Sequence, residues 1–175
     1  KDIVLATKFG IRFNDDMRGG ASRAYIMRSV EASLTRLKTD WIDLYQLHIP
    51  DGTTPMEETL RALDDLVSQG KVRYIGNSNF TAWQMVDADW TAKANGLSPF
   101  VSCQNEYSLL NREVDRELLP AMAKYGLGFL PFFPLASGLL TGKVTLEWID
   151  SLPENDWRRH KQEDHPVASL LGPPK

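Results

Sequence analysis

The chain has 175 residues, a formal net charge of −3 and 42% hydrophobic residues, which suits a globular protein with a sizeable core. This charge, with no Lys/Arg cluster apart from a short run at 157–161, argues against nucleic acid as a partner. The single cysteine excludes a disulfide framework and a cysteine-based metal site, and fits a reducing, cytoplasmic setting. No apolar run reaches the roughly 20 residues of a membrane span, so we expect no membrane association. We expect no metal site.

The first predicted element is a strand at residues 3–7, expected to be buried on both faces because its apolar residues are continuous. The sequence has no initiator methionine and enters this strand almost at once, so we expect an upstream segment to be missing. A loop containing Gly and Asp follows at 10–21. Ser22 is expected to cap a helix whose apolar residues recur at three- and four-residue spacing. These residues are Ile26, Val30, Leu34 and Leu37.

Strands and helices are expected to alternate through the middle of the chain. The remaining strands are predicted at residues 42–47, 72–75, 100–103 and 128–130. The helices between them are predicted from Pro55 to Gly70, from Thr81 to about Gly96, and from about 113 to 125 with an interruption or restart at Pro120. The pattern ends near Lys143. Residues 1–143 are therefore interpreted as one partial barrel domain, and 144–175 as an irregular, polar, proline-rich tail or loop.

Functional side chains stand at the predicted strand ends, at intervals of 26 to 40 residues. They are Lys8, His48, Ser78, Gln104 and Phe132. Repeated βα units place such residues at one face of a parallel (β/α)8 barrel, the TIM barrel. An open doubly wound sheet has a similar rhythm, but no G-x-G-x-x-G follows any strand. The barrel is favoured, and it is incomplete here because about five strands are recognised and a full barrel needs about 250 residues.

Five short motifs, in order and in spacing over residues 1–143, resemble those of the aldo-keto reductase family. They are residues 6–10 (ATKFG), 44–48 (LYQLH), 75–80 (IGNSNF), 104–107 (QNEY) and 134–143 (PLASGLLTGK). The resemblance implies an NADPH-dependent oxidoreductase that reduces aldehydes or ketones to alcohols by hydride transfer. It also implies a catalytic tetrad of Tyr, Lys, Asp and His. The implied partner is a small-molecule carbonyl substrate, whose identity stays open, as does the oligomeric state.

The same resemblance assigns roles to individual residues. Lys8 and His48 match the tetrad lysine and histidine; the lysine would lower the pKa of the proton-donating phenol, and the histidine would orient the carbonyl oxygen. Three residues would bind the nicotinamide carboxamide of the cofactor: Ser78, Asn79 and Gln104. Phe132 would stack on the nicotinamide ring. Residues of the following loop would cover the pyrophosphate: Pro134, Leu135, Ser137 and Lys143.

Other interpretations remain at these positions. From the residues alone, Lys8 also fits a lysine reaching solvent, Ser78 and Asn79 fit loop caps, and Phe132 fits a core aromatic. The family's tetrad Asp and Tyr would precede Lys1, and the eighth strand is not recognisable after Lys143. Two alternatives therefore stand beside the enzyme: a cofactor-binding regulatory subunit resembling the β subunits of potassium channels, and an inactive truncated fragment. His48 favours the enzyme, because those subunits generally carry another residue there.

Overall fold

Five parallel strands alternate with helices in the computed structural model, which describes residues 3–11, 20–145, 147–148 and 151–156. The strands are β1 (Ala6–Phe9), β2 (Ile42–Leu47), β3 (Val72–Ser78), β4 (Ser102–Glu106) and β5 (Gly128–Phe132). The α-helices in the described residues are α1 (Arg23–Leu37), α2 (Met56–Ser68), α3 (Ala82–Asn95) and α4 (Leu118–Tyr125). The strand order follows the chain from β1 to β5, and the sheet is not closed. This confirms the predicted incomplete (β/α)8 barrel.

One side of the sheet carries the core that the helices cover. Side chains alternate between the two sides of a strand, so Tyr45, Ile75 and Cys103 share the helix-facing side. Tyr45 is fully buried, and its ring stacks on Phe9 with 4.7 Å between centroids. Helices α1, α2 and α3 contribute a buried set in the same cluster: Ile26, Val30, Leu60, Leu63, Leu66 and Met85. Removal of this apolar surface from water is the main force that holds the βα units together.

The helix ends follow the predicted capping signals. Ser22 caps α1, and Thr81 forms a capping box with Gln84 at the start of α3. Gly96 and Gly126 end α3 and α4 in the left-handed conformation that glycine adopts without steric cost. These local signals were sufficient to predict helix ends because each acts within one turn of the helix.

The prediction of a buried strand at residues 3–7 was wrong at its start. The strand begins at Ala6, and the Ile3 and Val4 side chains are 66% and 79% exposed. β1 is the first strand in the sheet order and pairs only with β2. Ile3 and Val4 thus precede the strand, and a continuous apolar run did not imply burial here. Leu37, the last of the periodic apolar residues of α1, is also 40% exposed, at the end of that helix.

Three other boundaries differ from the prediction. β3 continues through Ser78, and β4 begins only at Ser102, so Gln104 lies within a strand rather than at its end. The pairing of Ser78 with Gln104 sets these limits, because the hydrogen-bond ladder extends beyond the apolar residues. In the predicted helix at 113–125, a 3₁₀ turn at Glu113–Asp115 precedes α4, which starts two residues before Pro120. Proline is tolerated there because the first turn lacks intrahelical acceptors for its amide groups.

The chain divides into two compact units: Lys1–Asn105 with Val114–Leu130, and Glu106–Glu113 with Pro131–Lys175. Most of the predicted tail, including residues 157–175, lies outside the described residues. Within the described part of the chain, no helix is both long enough and apolar enough to cross a membrane.

Candidate active site

The carboxyl ends of β2, β3 and β4 meet in a continuous hydrogen-bond network in the first unit. The Asn79 side-chain amide donates to the carbonyl oxygen of His48 (2.9 Å) and to Ser78 Oγ (3.2 Å). Ser78 Oγ donates to the carbonyl oxygen of Gln104 (2.8 Å), which also accepts from the Asn79 backbone (2.9 Å). The His48 backbone N–H donates to the carbonyl oxygen of Phe9 (2.8 Å), which extends the network to β1. Four of the predicted site residues are thereby fixed to one another.

Asn79 adopts a left-handed backbone conformation with φ of 60°. Asparagine is among the few residues other than glycine that tolerate this region, and the conformation reverses the chain directly after β3. The reversal brings the side-chain amide back across the strand ends to His48. An Asn at this position therefore serves both the turn and the network.

A second row of residues lies next to this network, nearer the amino ends of the strands. It is on the side of the sheet that faces away from the helices (the inner side). The strand register aligns Lys8 with Gln46, Gln46 with Gly76, and Gly76 with Ser102. A Cβ on Gly76 would lie 2.6 Å from Ser102 Oγ and 3.2 Å from Gln46 Cγ. The side chains of Gln46 and Ser102 therefore lie against Gly76, and Gln46 is itself paired with Lys8 of β1.

The environment of His48 favours a neutral imidazole. Partial burial lowers the pKa of His48 below its ordinary value, and the nearby positive charge of Lys8 lowers it further. A neutral imidazole can donate one hydrogen bond and accept another. Lys8 and His48, the two predicted catalytic residues, therefore act on each other electrostatically.

Gln104 carries the clearest sign of a ligand in this unit. Its Oε1 atom is buried, and no hydrogen-bond partner reaches it among the described residues. A buried acceptor without a donor costs about 1–3 kcal/mol, so such atoms call for a partner. The amide group of a nicotinamide could supply the donor, and the donors and acceptors of Ser78 and Asn79 lie in the same network. The residues present fit the cofactor's carboxamide.

The other predicted cofactor residues belong to the second unit. Phe132 packs its ring edge-on against Phe133, with 5.3 Å between centroids, and its carbonyl oxygen accepts from the Tyr107 backbone (3.2 Å). After it, the chain forms 3₁₀ turns over Ala136–Thr141, with a kink at Ser137 and Gly138. Pro134, Leu135 and Lys143 are exposed on this loop, and Ser137 is half-buried.

This loop contains an unusual run of left-handed backbone conformations. Positive φ angles occur at three residues other than glycine: Phe133, Ala136 and Ser137. Each such conformation costs energy, and local hydrogen bonds maintain the arrangement, including Thr141 Oγ1 to the carbonyl oxygen of Gly138 (2.6 Å). Within the loop, the backbone N–H groups of Ala136, Gly138 and Leu140 donate to carbonyl oxygens of Phe133 and Leu135, so the turns are closed by their own backbone.

One well-ordered polar cluster was missed by the sequence reasoning. The Asp51 carboxylate, three residues after His48, accepts hydrogen bonds from Thr53, Thr54 and the backbone of Ala21. An Asp followed by two threonines is a recognisable turn signal, which could have predicted the local bonds. The bond to Ala21 joins residues 30 positions apart and left no local signal. No group of three or more potential metal ligands occurs among the described residues.

Comparison with known proteins identifies the family. The profile of the aldo/keto reductase family matches residues 1–167, and the chain belongs to this family. The chain is 45% identical over 148 residues to the uncharacterized oxidoreductase YrpG of Bacillus subtilis, covering 81% of this chain and 45% of that protein. It is 44% identical over 128 residues to the aldo-keto reductase dtxS3 of Metarhizium robertsii, covering 73% of this chain and 35% of that protein.

A third relative is a putative aryl-alcohol dehydrogenase, C977.14c, of Schizosaccharomyces pombe. It is 45% identical over 125 residues, covering 71% of this chain and 35% of that protein. The chain therefore spans less than half the length of these relatives. Members of the family generally use NAD(P)H.

Proposed function

We propose that this chain provides the cofactor-binding and part of the catalytic face of an NADPH-dependent oxidoreductase that reduces aldehydes or ketones to alcohols. The observation that carries the proposal is the network of His48, Ser78, Asn79 and Gln104, with a buried acceptor on Gln104 that finds no donor among the described residues. Membership of the aldo/keto reductase family supports the same reaction class. The proposed partner is a small-molecule carbonyl compound.

NADPH, when bound, supplies the hydride that reduces the carbonyl carbon. Gln104 Oε1 accepts a hydrogen bond from the amide group of the nicotinamide, and Ser78 with Asn79 fixes the orientation of the ring. The network holds the Ser78 and Asn79 side chains and the Gln104 backbone in place before binding, so less conformational entropy is lost on orienting the ring. Phe132 offers an aromatic surface for stacking.

Lys8 and His48 act on the substrate oxygen. Hydride attack places negative charge on that oxygen, and groups fixed in advance to stabilise it lower the barrier. The neutral imidazole of His48 donates a hydrogen bond to the oxygen, while the ammonium of Lys8 stabilises the developing charge. The proton donor expected from the family's tetrad, a tyrosine, is not assigned to any residue of this chain.

The loop of the second unit is proposed to bind the cofactor's phosphates. The exposed Lys143 at the end of this loop supplies a positive charge, and the left-handed residues with the kink at Ser137 and Gly138 give the loop a compact backbone conformation beside it. A lysine ammonium is a common phosphate-binding group, so the charge of Lys143 supports this role.

A fluorescence titration with NADPH tests the proposal, since the chain has five tryptophans whose emission the bound cofactor would quench. We expect weak quenching by the chain alone and saturable quenching by a chain extended with the segments that the longer relatives carry. Gln104→Leu should weaken binding by about tenfold to a hundredfold, because it removes the acceptor for the amide. Gln69→Leu, at an exposed position after α2, is the matched control and should leave affinity unchanged. Absence of saturable binding in both chains would overturn the cofactor assignment.

A further inference from the structure

Asp51 joins two loops at the same edge of the sheet as His48. One carboxylate oxygen, Oδ2, accepts from the Ala21 backbone (2.7 Å) and from Thr54 Oγ1 (2.6 Å). The other, Oδ1, accepts from the Thr53 backbone (2.9 Å) and from Thr53 Oγ1 (2.6 Å). We name this arrangement, Asp51 with Thr53, Thr54 and the backbone of Ala21, the Asp51 clamp. It is unusual because one side chain receives four hydrogen bonds from two separate loops.

The backbone at Ala21 is held from several directions. Its carbonyl oxygen accepts from Thr59 Oγ1 of α2 (2.9 Å), while its N–H donates to Asp51. The neighbouring Gly20 donates to the carbonyl oxygen of Gly10 (2.8 Å), the residue directly after β1. Gly20 has φ of +117°, and a Cβ there would lie 2.9 Å from Asp51 Oδ2. Glycine is thus required for the close approach of this loop to the carboxylate.

These contacts connect the ends of the two strands that carry the predicted catalytic residues. Lys8 lies two residues before Gly10, and His48 lies three residues before Asp51. A path of hydrogen bonds and backbone runs from Gly10 through the Gly20 peptide to Ala21. From Ala21 it crosses the Asp51 clamp to the loop after β2. Two short connections, each anchored on one strand end, therefore converge on a single carboxylate.

We propose that Asp51 is a positioning residue whose carboxylate, by fixing Ala21 to the loop after β2, holds the ends of β1 and β2 so that Lys8 stays beside His48. This inference rests on the proposed function, because that function gives the Lys8–His48 pair its catalytic role. The test of the inference does not depend on that function. Asp51 does not itself touch the substrate or the cofactor in this account. It acts through the two residues that do.

The charge of the carboxylate suits this role. Burial alone would raise the pKa of Asp51, but the hydrogen bonds from Thr53, Thr54 and Ala21 hold it well below its usual range. The side chain therefore stays ionised at neutral pH and accepts at both oxygens. Asparagine has only one accepting oxygen, and its amide would point donors at donors, so Asp51→Asn should release one of the two loops.

The test measures the pKa of His48 by NMR titration of its imidazole, in the chain without cofactor. The sequence has three histidines, and the signal lost in His48→Gln identifies the one of interest. In the unchanged chain the pKa is lowered by burial and by Lys8. We expect Asp51→Asn to raise the pKa of His48 toward the ordinary value, because Lys8 is no longer held beside it. Removal of a negative charge alone would lower this pKa, so the sign of the shift separates the two effects.

Two controls make the result specific. Asp40→Asn removes an exposed carboxylate near the opposite end of β2 and should leave the pKa of His48 unchanged. In a Lys8→Met background, where the cation is already absent, Asp51→Asn should add no further rise. A rise of equal size in that background would mean that the variant merely exposes His48, and it would overturn the proposal.

Thr54→Val provides a second perturbation in case Asp51→Asn does not fold. It removes one donor from Oδ2 without changing the charge of the carboxylate, and a smaller rise in the pKa of His48 is expected. An unchanged or lowered pKa in the folded Asp51→Asn chain, or in Thr54→Val, would overturn the proposal. Because no cofactor is added, failure of NADPH binding would contradict the proposed function and leave this test intact.

Discussion

Replacement of Gly76 by alanine is expected to destabilise the protein, because the inner side of the sheet has no room for a methyl group there. The added Cβ would lie 2.6 Å from Ser102 Oγ, 3.2 Å from the carbonyl oxygen of Ser102 and 3.2 Å from Gln46 Cγ. A separation below 3.0 Å is essentially never found for a real Cβ, so a neighbour must move. Ser102 belongs to the adjacent strand, and its backbone cannot withdraw without disturbing the pairing of β3 with β4.

The size of the effect follows from two opposing terms. Overpacking a filled site typically costs about 1–3 kcal/mol. Alanine also has less conformational freedom than glycine in the unfolded chain, which offsets about 0.5–1 kcal/mol. The φ angle of Gly76 lies outside the left-handed region, so alanine brings no backbone strain. The free energy of unfolding should therefore fall by about 0.5–2 kcal/mol.

Urea unfolding of four chains measures this value and its cause: the unchanged chain, Gly76→Ala, Ser102→Ala and the double variant. Ser102 Oγ is buried and no described group hydrogen-bonds to it, so its removal alone should cost little. The double variant should recover at least about 0.5 kcal/mol relative to the sum of the single effects. Gly52→Ala is the matched control, because a Cβ on Gly52 meets nothing within 4 Å. The reasoning is refuted if Gly76→Ala is as stable as Gly52→Ala, or if the two inner-side substitutions are additive.

Three further outcomes are expected. Asn77→Val should raise the free energy of unfolding in urea by about 1–2 kcal/mol, because both amide atoms of this fully buried residue lack partners among the described groups; lower stability would contradict this. Burial and the positive charge of Lys8 lower the pKa of His48 below its ordinary 6.5. The contribution of His48 to the free energy of unfolding is therefore complete above pH 6.5, and it is lost as the pH falls through the lower pKa of the folded state. Denaturation at several pH values should show this loss, and His48→Gln should flatten the profile. Burial raises the pKa of Cys103 to about 12, so a thiol-specific disulfide reagent at pH 8 should label it only in denaturant; fast labelling of the folded chain would disprove this.

Most of the fold could be predicted because its signals are local. The apolar spacing in α1, the Thr81 capping box and the glycines after α3 and α4 each act within a turn or two of the chain. The repeat of βα units then predicted the parallel sheet. The errors in the prediction occurred where residues distant in the chain determine the local structure. Ile3 and Val4 lie before β1 and are exposed, and β4 is displaced because pairing with β3 sets its limits.

The candidate site divides in the same way. The sequence determined which residues stand at the strand ends and which family they resemble, since a motif such as 75–80 carries its identity in adjacent residues. Only the tertiary structure showed that Asn79 links His48 to Ser78, and that a buried acceptor of Gln104 lacks a donor within the described part of the chain. The contact between Asn79 and His48 joins residues 31 positions apart, which no local pattern encodes.

The Asp51 clamp and the bare Cα of Gly76 are the clearest cases of this limit. Before folding, Asp51 is an acidic residue in a turn and Gly76 is a weak point in a strand. Packing of the two loops brings Ala21 to Asp51, and the strand register brings Ser102 to Gly76. Sequence specified the chemical groups, and the three-dimensional arrangement of distant segments decided which of them meet, because hydrogen bonds and steric contacts depend on distance in space rather than along the chain.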